Sequence, residues 1–182
     1  MKRRIAREAT LALFYARHIS GEGKMTSRVQ VRLGASTDLE VVSRLFFALW
    51  PDELLAEHQE EARAILAGSP PSTMPLVVFV AETDGVLVGF IEVGLRSHAD
   101  GCDTRYPVGF IEGWYVGPAH RGSGVGRALM RTAEEWARSQ GCRELASDTW
   151  IDHESSQRAH EALGFEVVDR CVHFRKGLDV LV

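Results

Sequence analysis

The feature that most constrains this chain is the run Arg121-Gly122-Ser123-Gly124-Val125-Gly126-Arg127, three glycines in five positions. Upstream lies an apolar stretch, Val108 to Val116, that reads as a buried strand stopped by Gly117-Pro118. Downstream, Val125, Leu129, Ala133 and Trp136 form one apolar stripe of a helix from Gly124 to Gln140, with Gly141 suited to the position past its end. Glycines let the main chain turn tightly and approach a ligand. A helix start also carries unpaired N–H groups and a partial positive charge, which together suit phosphate. Arg121 and Arg127 can add charge-assisted contacts. A plain helix start would normally use one capping Ser, Thr or Asp.

Around this centre the periodicity alternates between strand and helix. Val29 to Leu33 alternates as a half-buried strand does, and Thr37 or Asp38 can cap a helix carrying Val41, Val42, Leu45 and Phe46. Pro51 ends that helix, and Asp52 to Leu66 reads as a second one closed by Gly68. Leu76 to Ala81 and Val86 to Leu95 form strands about the Asp84-Gly85 turn, and Ser97 to Pro107 is a loop. After the central helix come a short strand from Glu144 to Ser147, a helix from Asp152 or His153 to Leu163, and strands over Glu166 to Val168 and Cys171 to Lys176. This order predicts a mixed α/β domain.

Composition narrows the class. A chain of 182 residues suits one domain. Its net charge of −4 argues against nucleic-acid binding and is compatible with a cationic substrate. Cys102, Cys142 and Cys171 show neither disulfide-framework nor zinc spacing, so no metal is expected and a reducing, cytoplasmic compartment is. No apolar run approaches the ~20 residues of a membrane helix. Residues 1–24 make a poor signal peptide and are expected to be a dispensable extension, with the domain spanning residues 25–182.

Two common phosphate loops fail on spacing. A P-loop needs Gly-Lys-Ser/Thr where this chain has Gly126-Arg127-Ala128, and the third glycine of a dinucleotide fingerprint is replaced by Leu129. The pattern Arg-x-x-Gly-x-Gly at Arg121, Gly124 and Gly126 resembles the pyrophosphate loop of the GNAT acetyltransferases. Tyr115 to His120 is similar to the end of that family's fourth strand, and Ala162-Leu163-Gly164-Phe165 to its second motif. The resemblance implies the GNAT fold, a mostly antiparallel sheet flanked by helices, and acetyl-CoA as cosubstrate. It implies that Trp114, Tyr115 and Val116 hold the pantetheine arm and that Arg121, Gly122, Ser123, Gly124, Val125, Gly126 and Arg127 hold the diphosphate. His153 stands where a cofactor-contacting asparagine often sits, and His160 where a tyrosine protonates the leaving thiolate.

Within that family, Pro107 to Gly113, Ala146 to Thr149, Leu49-Trp50-Pro51, Gly101-Cys102-Asp103 and His160 to Phe165 are similar to the aminoglycoside 6′-N-acetyltransferases. The likeness runs from about Val29 to Lys176 and implies a homodimer. The chemistry agrees, because an aminoglycoside carries several ammonium groups and its site should present carboxylates. Glu112 interrupts an apolar strand, where a bare carboxylate is costly to bury, and Asp148 follows the next strand. Glu112, through a water, is the first candidate base and Asp148 the second. An outward-facing strand residue and a turn carboxylate are the plain alternatives. By the resemblance Trp50 packs on sugar rings, as readily as in the core, and Asp169 meets a substrate amine. His98 stands near the place of a tyrosine that the subgroup often has and this chain lacks. Acetylation of another amine, or an acyl-CoA sensor without turnover, are the competing functions.

Overall fold

The computed structural model describes residues 28–177. The expected extension, residues 1–24, lies outside them. Five strands, β1 (Gln30–Leu33), β2 (Leu76–Thr83), β3 (Val86–Arg96), β4 (Val108–Val116) and β5 (Leu145–Ser147), form one sheet in the order β1-β2-β3-β4-β5. All pairs are antiparallel except β4 with β5. Four helices accompany them: α1 (Leu39–Leu49), α2 (Leu55–Leu66), α3 (Val125–Ser139) and α4 (Glu154–Glu161).

Strand alternation divides the apolar residues between two faces. Phe79, Ala81, Ile91, Val93 and Ile111 pack against Val125, Leu129, Met130, Ala133 and Trp136 of α3. Val78, Val80 and Phe90 face the other way, onto Val42 and Phe46 of α1 and Ala62 and Ile65 of α2. The parallel β4–β5 pair needs a crossover connection, and α3 provides it.

Local chemistry explains the helix boundaries. The Asp38 carboxylate makes no cap bond to α1. It takes a bidentate pair from Arg32 at 2.6 and 2.8 Å and the Ala35 N–H at 2.8 Å, tying β1 to the helix entrance. That guanidinium holds the Asp38 carboxyl below its usual range. The second helix starts at Leu55 rather than Asp52, where the Glu57 side chain reaches back to accept the Leu54 N–H at 3.1 Å.

The chain's end departs from expectation. Residues 165–177, expected to hold two strands, have no regular structure, and Val167, Val168, Val172 and Phe174 are exposed. A strand has no hydrogen bonds of its own, so alternation cannot sustain one without a neighbour. The adjacent edge, β5, is just three residues long.

Candidate active site

The three glycines of the central turn do different work. Gly122 and Gly124 adopt left-handed φ of 75° and 91°, with open space where a side chain would stand. Residues 121–124 are exposed, and α3 begins directly after them, so the amides of its first turn lack intrahelical partners. Gly126 has another reason: a Cβ there would lie 2.9 Å from the Trp114 ring, so its role is close packing of α3 on β4. The turn is braced from within. Arg121 Nε donates to the Val116 carbonyl at 3.0 Å, with its guanidinium 5.7 Å from the Tyr115 ring, and Ser123 Oγ donates to the His120 carbonyl at 2.6 Å. Arg127 is exposed on the first turn of α3. The turn therefore offers an anion exposed amides with cations on either side.

Strand β4 is interrupted at Glu112. Its register on β3 steps from Gly113 opposite Glu92 to Ile111 opposite Val93, which leaves Glu112 as the extra residue of a β-bulge. A bulge re-aims a side chain and kinks the strand. Glu112 accordingly turns out of the apolar ladder and takes Arg96 in a bidentate pair at 3.0 and 2.6 Å. Arg96 in turn lies 3.3 Å from the Phe110 ring centroid. Glu112 is thus exposed rather than buried in the strand, and the bulge is the cause. Pairing of β4 with β5 ends at Ile111 with Ser147, so Glu112 to Val116 run on along β3 without a strand at their other side. Trp114, Tyr115 and Val116 therefore border an open edge that leads straight into the glycine turn.

Beside the bulge is a cavity of about 350 Å³ lined by four carboxylates, Glu53, Glu61, Glu92 and Glu112, together with Trp50. Its lining contains no basic side chain. Trp50 closes one wall, standing 5.6 Å from Phe46 and stacked 6.2 Å from His58. Its ring fills the space over Gly113, where an added Cβ would meet it at 2.5 Å. The wall is fixed from behind, because the fully buried His58 places Nε2 2.9 Å from the Trp50 carbonyl. Glu92 is the most enclosed carboxylate, 3% exposed. Burial pushes its carboxyl up to about 8, and the charges of Glu61 and Glu112 add to the shift. Glu61 is raised as well, by burial and then by Glu53.

The other expected site residues lie elsewhere. His98, Asp148, His153 and Asp169 are exposed and do not line the cavity. Asp148 follows β5 directly, at the end where β4 and β5 part. His153 caps α4 with its carbonyl, which accepts the Ser156 and Gln157 amides. The Asp169 carboxylate accepts its neighbour's Arg170 N–H at 2.6 Å. His160 sits edge-on between Trp114 and Phe165, with centroids 5.4 and 5.2 Å away. Its Nδ1 is 2.8 Å from the Ser156 carbonyl, which requires Nδ1–H, and Nε2 is 3.1 Å from Ser147 Oγ. Among the described residues no His, Cys, Asp and Glu cluster is arranged to hold a metal, and no helix is long and apolar enough to cross a membrane.

Glu53, Glu61 and Glu92 were not anticipated. Glu92 carried the same signal as Glu112, a carboxylate inside an apolar strand, and the same reasoning would have found it. Glu53 and Glu61 carried none, since acidic residues around a helix are ordinarily solvated.

Residues 39–165 match the Acetyltransferase (GNAT) family. An aminoglycoside N(6')-acetyltransferase type 1 of Stenotrophomonas maltophilia is 40% identical over 156 residues, 85% of this chain and 97% of the relative. One of Klebsiella aerogenes is 41% identical over 154 residues, 85% of this chain and all of the relative. The structure of AAC(6')-Iy with the bisubstrate analogue CoA-S-monomethyl-acetylneamine superposes with a TM-score of 0.75 at 36% identity, covering 84% of this chain and all of that one. AAC(6')-Iy in complex with CoA gives the same score at 35% identity, over 87% of this chain and 99% of that one. A strand opened by a bulge, a glycine turn at a helix start and an acidic cavity beside them therefore sit in a chain that belongs to the GNAT acetyltransferase family, among its aminoglycoside N(6')-acetyltransferases.

Proposed function

We propose that this chain transfers the acetyl group of acetyl-CoA to the 6'-amine of aminoglycosides. The observation that carries this reading is the cavity with four acidic side chains and no basic one, lying at the bulge next to the unpaired edge of β4. A ligand for such a cavity carries several positive charges.

The residues divide the work. Gly122, Gly124 and the amides that open α3, with Arg121 and Arg127 beside them, hold the diphosphate. When bound, acetyl-CoA supplies an activated thioester. The open edge of β4 from Trp114 to Val116 holds its pantetheine arm, and one backbone donor aimed at the thioester oxygen is worth about 3 kcal/mol at the transition state. Glu112 orients the reacting amine and accepts its proton through a water, with Asp148, at the parting of β4 and β5, as the second carboxylate. His160, whose Nε2 stands 3.1 Å from Ser147 Oγ, is the candidate proton donor to the leaving thiolate. Trp50 offers its ring to the sugars. His153 contacts the coenzyme, and His98 and Asp169 contact the antibiotic at its rim.

The assembly is a homodimer in this reading. Among the described residues the outer edge of β5 carries no strand, and the apolar Val167, Val168, Val172 and Phe174 are exposed, which supports a partner there. The unpaired cysteines and the use of acetyl-CoA support a cytoplasmic setting. Thiol release from acetyl-CoA with a panel of aminoglycosides, spermidine and a lysine peptide tests the activity. Turnover of the peptide or spermidine alone would overturn the substrate, and coenzyme binding without any turnover would overturn the enzyme. Sedimentation equilibrium tests the dimer.

A further inference from the structure

Glu92 stands where the core would otherwise take an apolar residue. On β3 its neighbours Ile91 and Val93 pack toward α3, and Phe90, two positions away on Glu92's own face, packs toward α1 and α2. Glu92 is 3% exposed, yet it lines the cavity and forms no hydrogen bond or ion pair with any described residue. The groups facing it are Glu61 from α2, Glu112 from the bulge of β4 and Glu53 from the turn before α2. Of the two bases nearby, Arg96 pairs with Glu112, and His58 places Nε2 on the Trp50 carbonyl while its Nδ1, 3.6 Å from Glu53, makes no hydrogen bond. β2 and β4 place Val78 and Gly113 opposite it, neither of which can compensate a charge. A carboxylate enclosed in this way lacks a cation, and the cavity is the way one can arrive.

We propose that Glu92 is a substrate-binding residue, whose carboxylate receives an ammonium group of the aminoglycoside other than the one acetylated, at the deepest point of the cavity. This rests on the acetyltransferase reading above, in which the reacting amine lies at Glu112, one strand nearer the open edge. Burial raises the Glu92 carboxyl to about 8, so the empty site holds Glu92 with its proton near neutrality. An arriving ammonium reverses that preference. The O–H bond of the acid breaks, the proton passes to solvent, and the carboxylate pairs with the intact ammonium. Substrate binding thus releases one proton, and affinity depends on a second amine.

Calorimetric titration of the whole protein with a kanamycin-class aminoglycoside at pH 6, in buffers of different ionisation enthalpy, counts that proton. The antibiotic's amines are already protonated there. Wild type should release close to one proton more than Glu92→Gln. Glu92→Gln should raise KM tenfold or more for polyamine-rich aminoglycosides, with kcat changed less than threefold and no shift in KM for a monoamine substrate. Glu92→Asp, which keeps the carboxyl, should restore the proton release. Equal proton counts in wild type and Glu92→Gln, or a KM within twofold, would overturn the assignment while leaving the activity standing. If Glu92→Gln does not fold, absence of proton release from wild type overturns it alone. No turnover of any aminoglycoside by wild type would instead remove the acetyltransferase reading, and this role with it.

Discussion

The glycine turn and the acidic cavity lie at the two ends of the same break in β4, and they are built in opposite ways. The turn is one continuous segment, Arg121 to Arg127, whose properties follow from its own residues: two left-handed glycines and the unpaired amides of a helix start. The cavity draws Glu53 from a turn, Glu61 from α2, Glu92 from β3 and Glu112 from the β4 bulge. Its acidity exists only once these elements pack together. A site made of main chain binds what every member of a family shares, whereas a site made of distant side chains can be retuned for a substrate.

Separate damage to the two regions should therefore give separate losses. The largest effect expected is from Glu112→Gln, which should lower kcat/KM for aminoglycosides by about 100-fold or more. It should leave coenzyme A affinity unchanged in a fluorescence titration. Coenzyme binding that weakens in parallel would break the division.

The next concerns the cavity without ligand. The Glu92 carboxyl is raised from 4.5 to about 8 in the folded chain. Below pH 4.5 it is protonated folded or unfolded and adds no pH dependence. Between pH 4.5 and 8 the unfolded chain ionises first, so folding stability falls as pH rises, by on the order of a few kcal/mol in all. Denaturant melts from pH 4.5 to 8.5 should show wild type losing this stability relative to Glu92→Gln. Parallel curves for the two proteins would sink the idea that the cavity is strained by its own acid.

At the turn, Gly124→Val places a β-branched residue at φ 91°. Such strain costs about 1–3 kcal/mol, so the Kd for coenzyme A should rise roughly 10- to 100-fold. Aminoglycoside binding in calorimetry should be nearly unaffected. The smallest effect is from salt. Going from about 0.05 to 0.5 M should raise KM for the antibiotic severalfold, since screening weakens partly exposed charge pairs. The KM for acetyl-CoA should move less, because helix-start amides bind through direct hydrogen bonds.

Much of the fold was legible because its signals are local. The Asp84-Gly85 turn, the stripe on α3 and the order of elements from β1 to α4 all stand within a few residues of where the pattern put them. The failures mark where local signals stop. Asp38 has the right residue type for a cap, but Arg32 across the turn claims its carboxylate. Glu166 to Val168 and Cys171 to Lys176 read as strands, yet pairing partners are needed and among the described residues the sheet ends at a three-residue β5.

By itself the sequence determined the strand–turn–helix unit at Gly122 to Gly126, and with it a set of exposed amides suited to an anion, because backbone conformation and helix polarity are written in adjacent residues. Tertiary structure alone decided that Glu112 bulges out to meet Arg96, and that Glu92 ends in a cavity facing Glu61 rather than against α3. The physical reason is the range of the forces. φ preferences and capping act over a few residues, whereas desolvation and charge repulsion depend on which distant side chains are brought together.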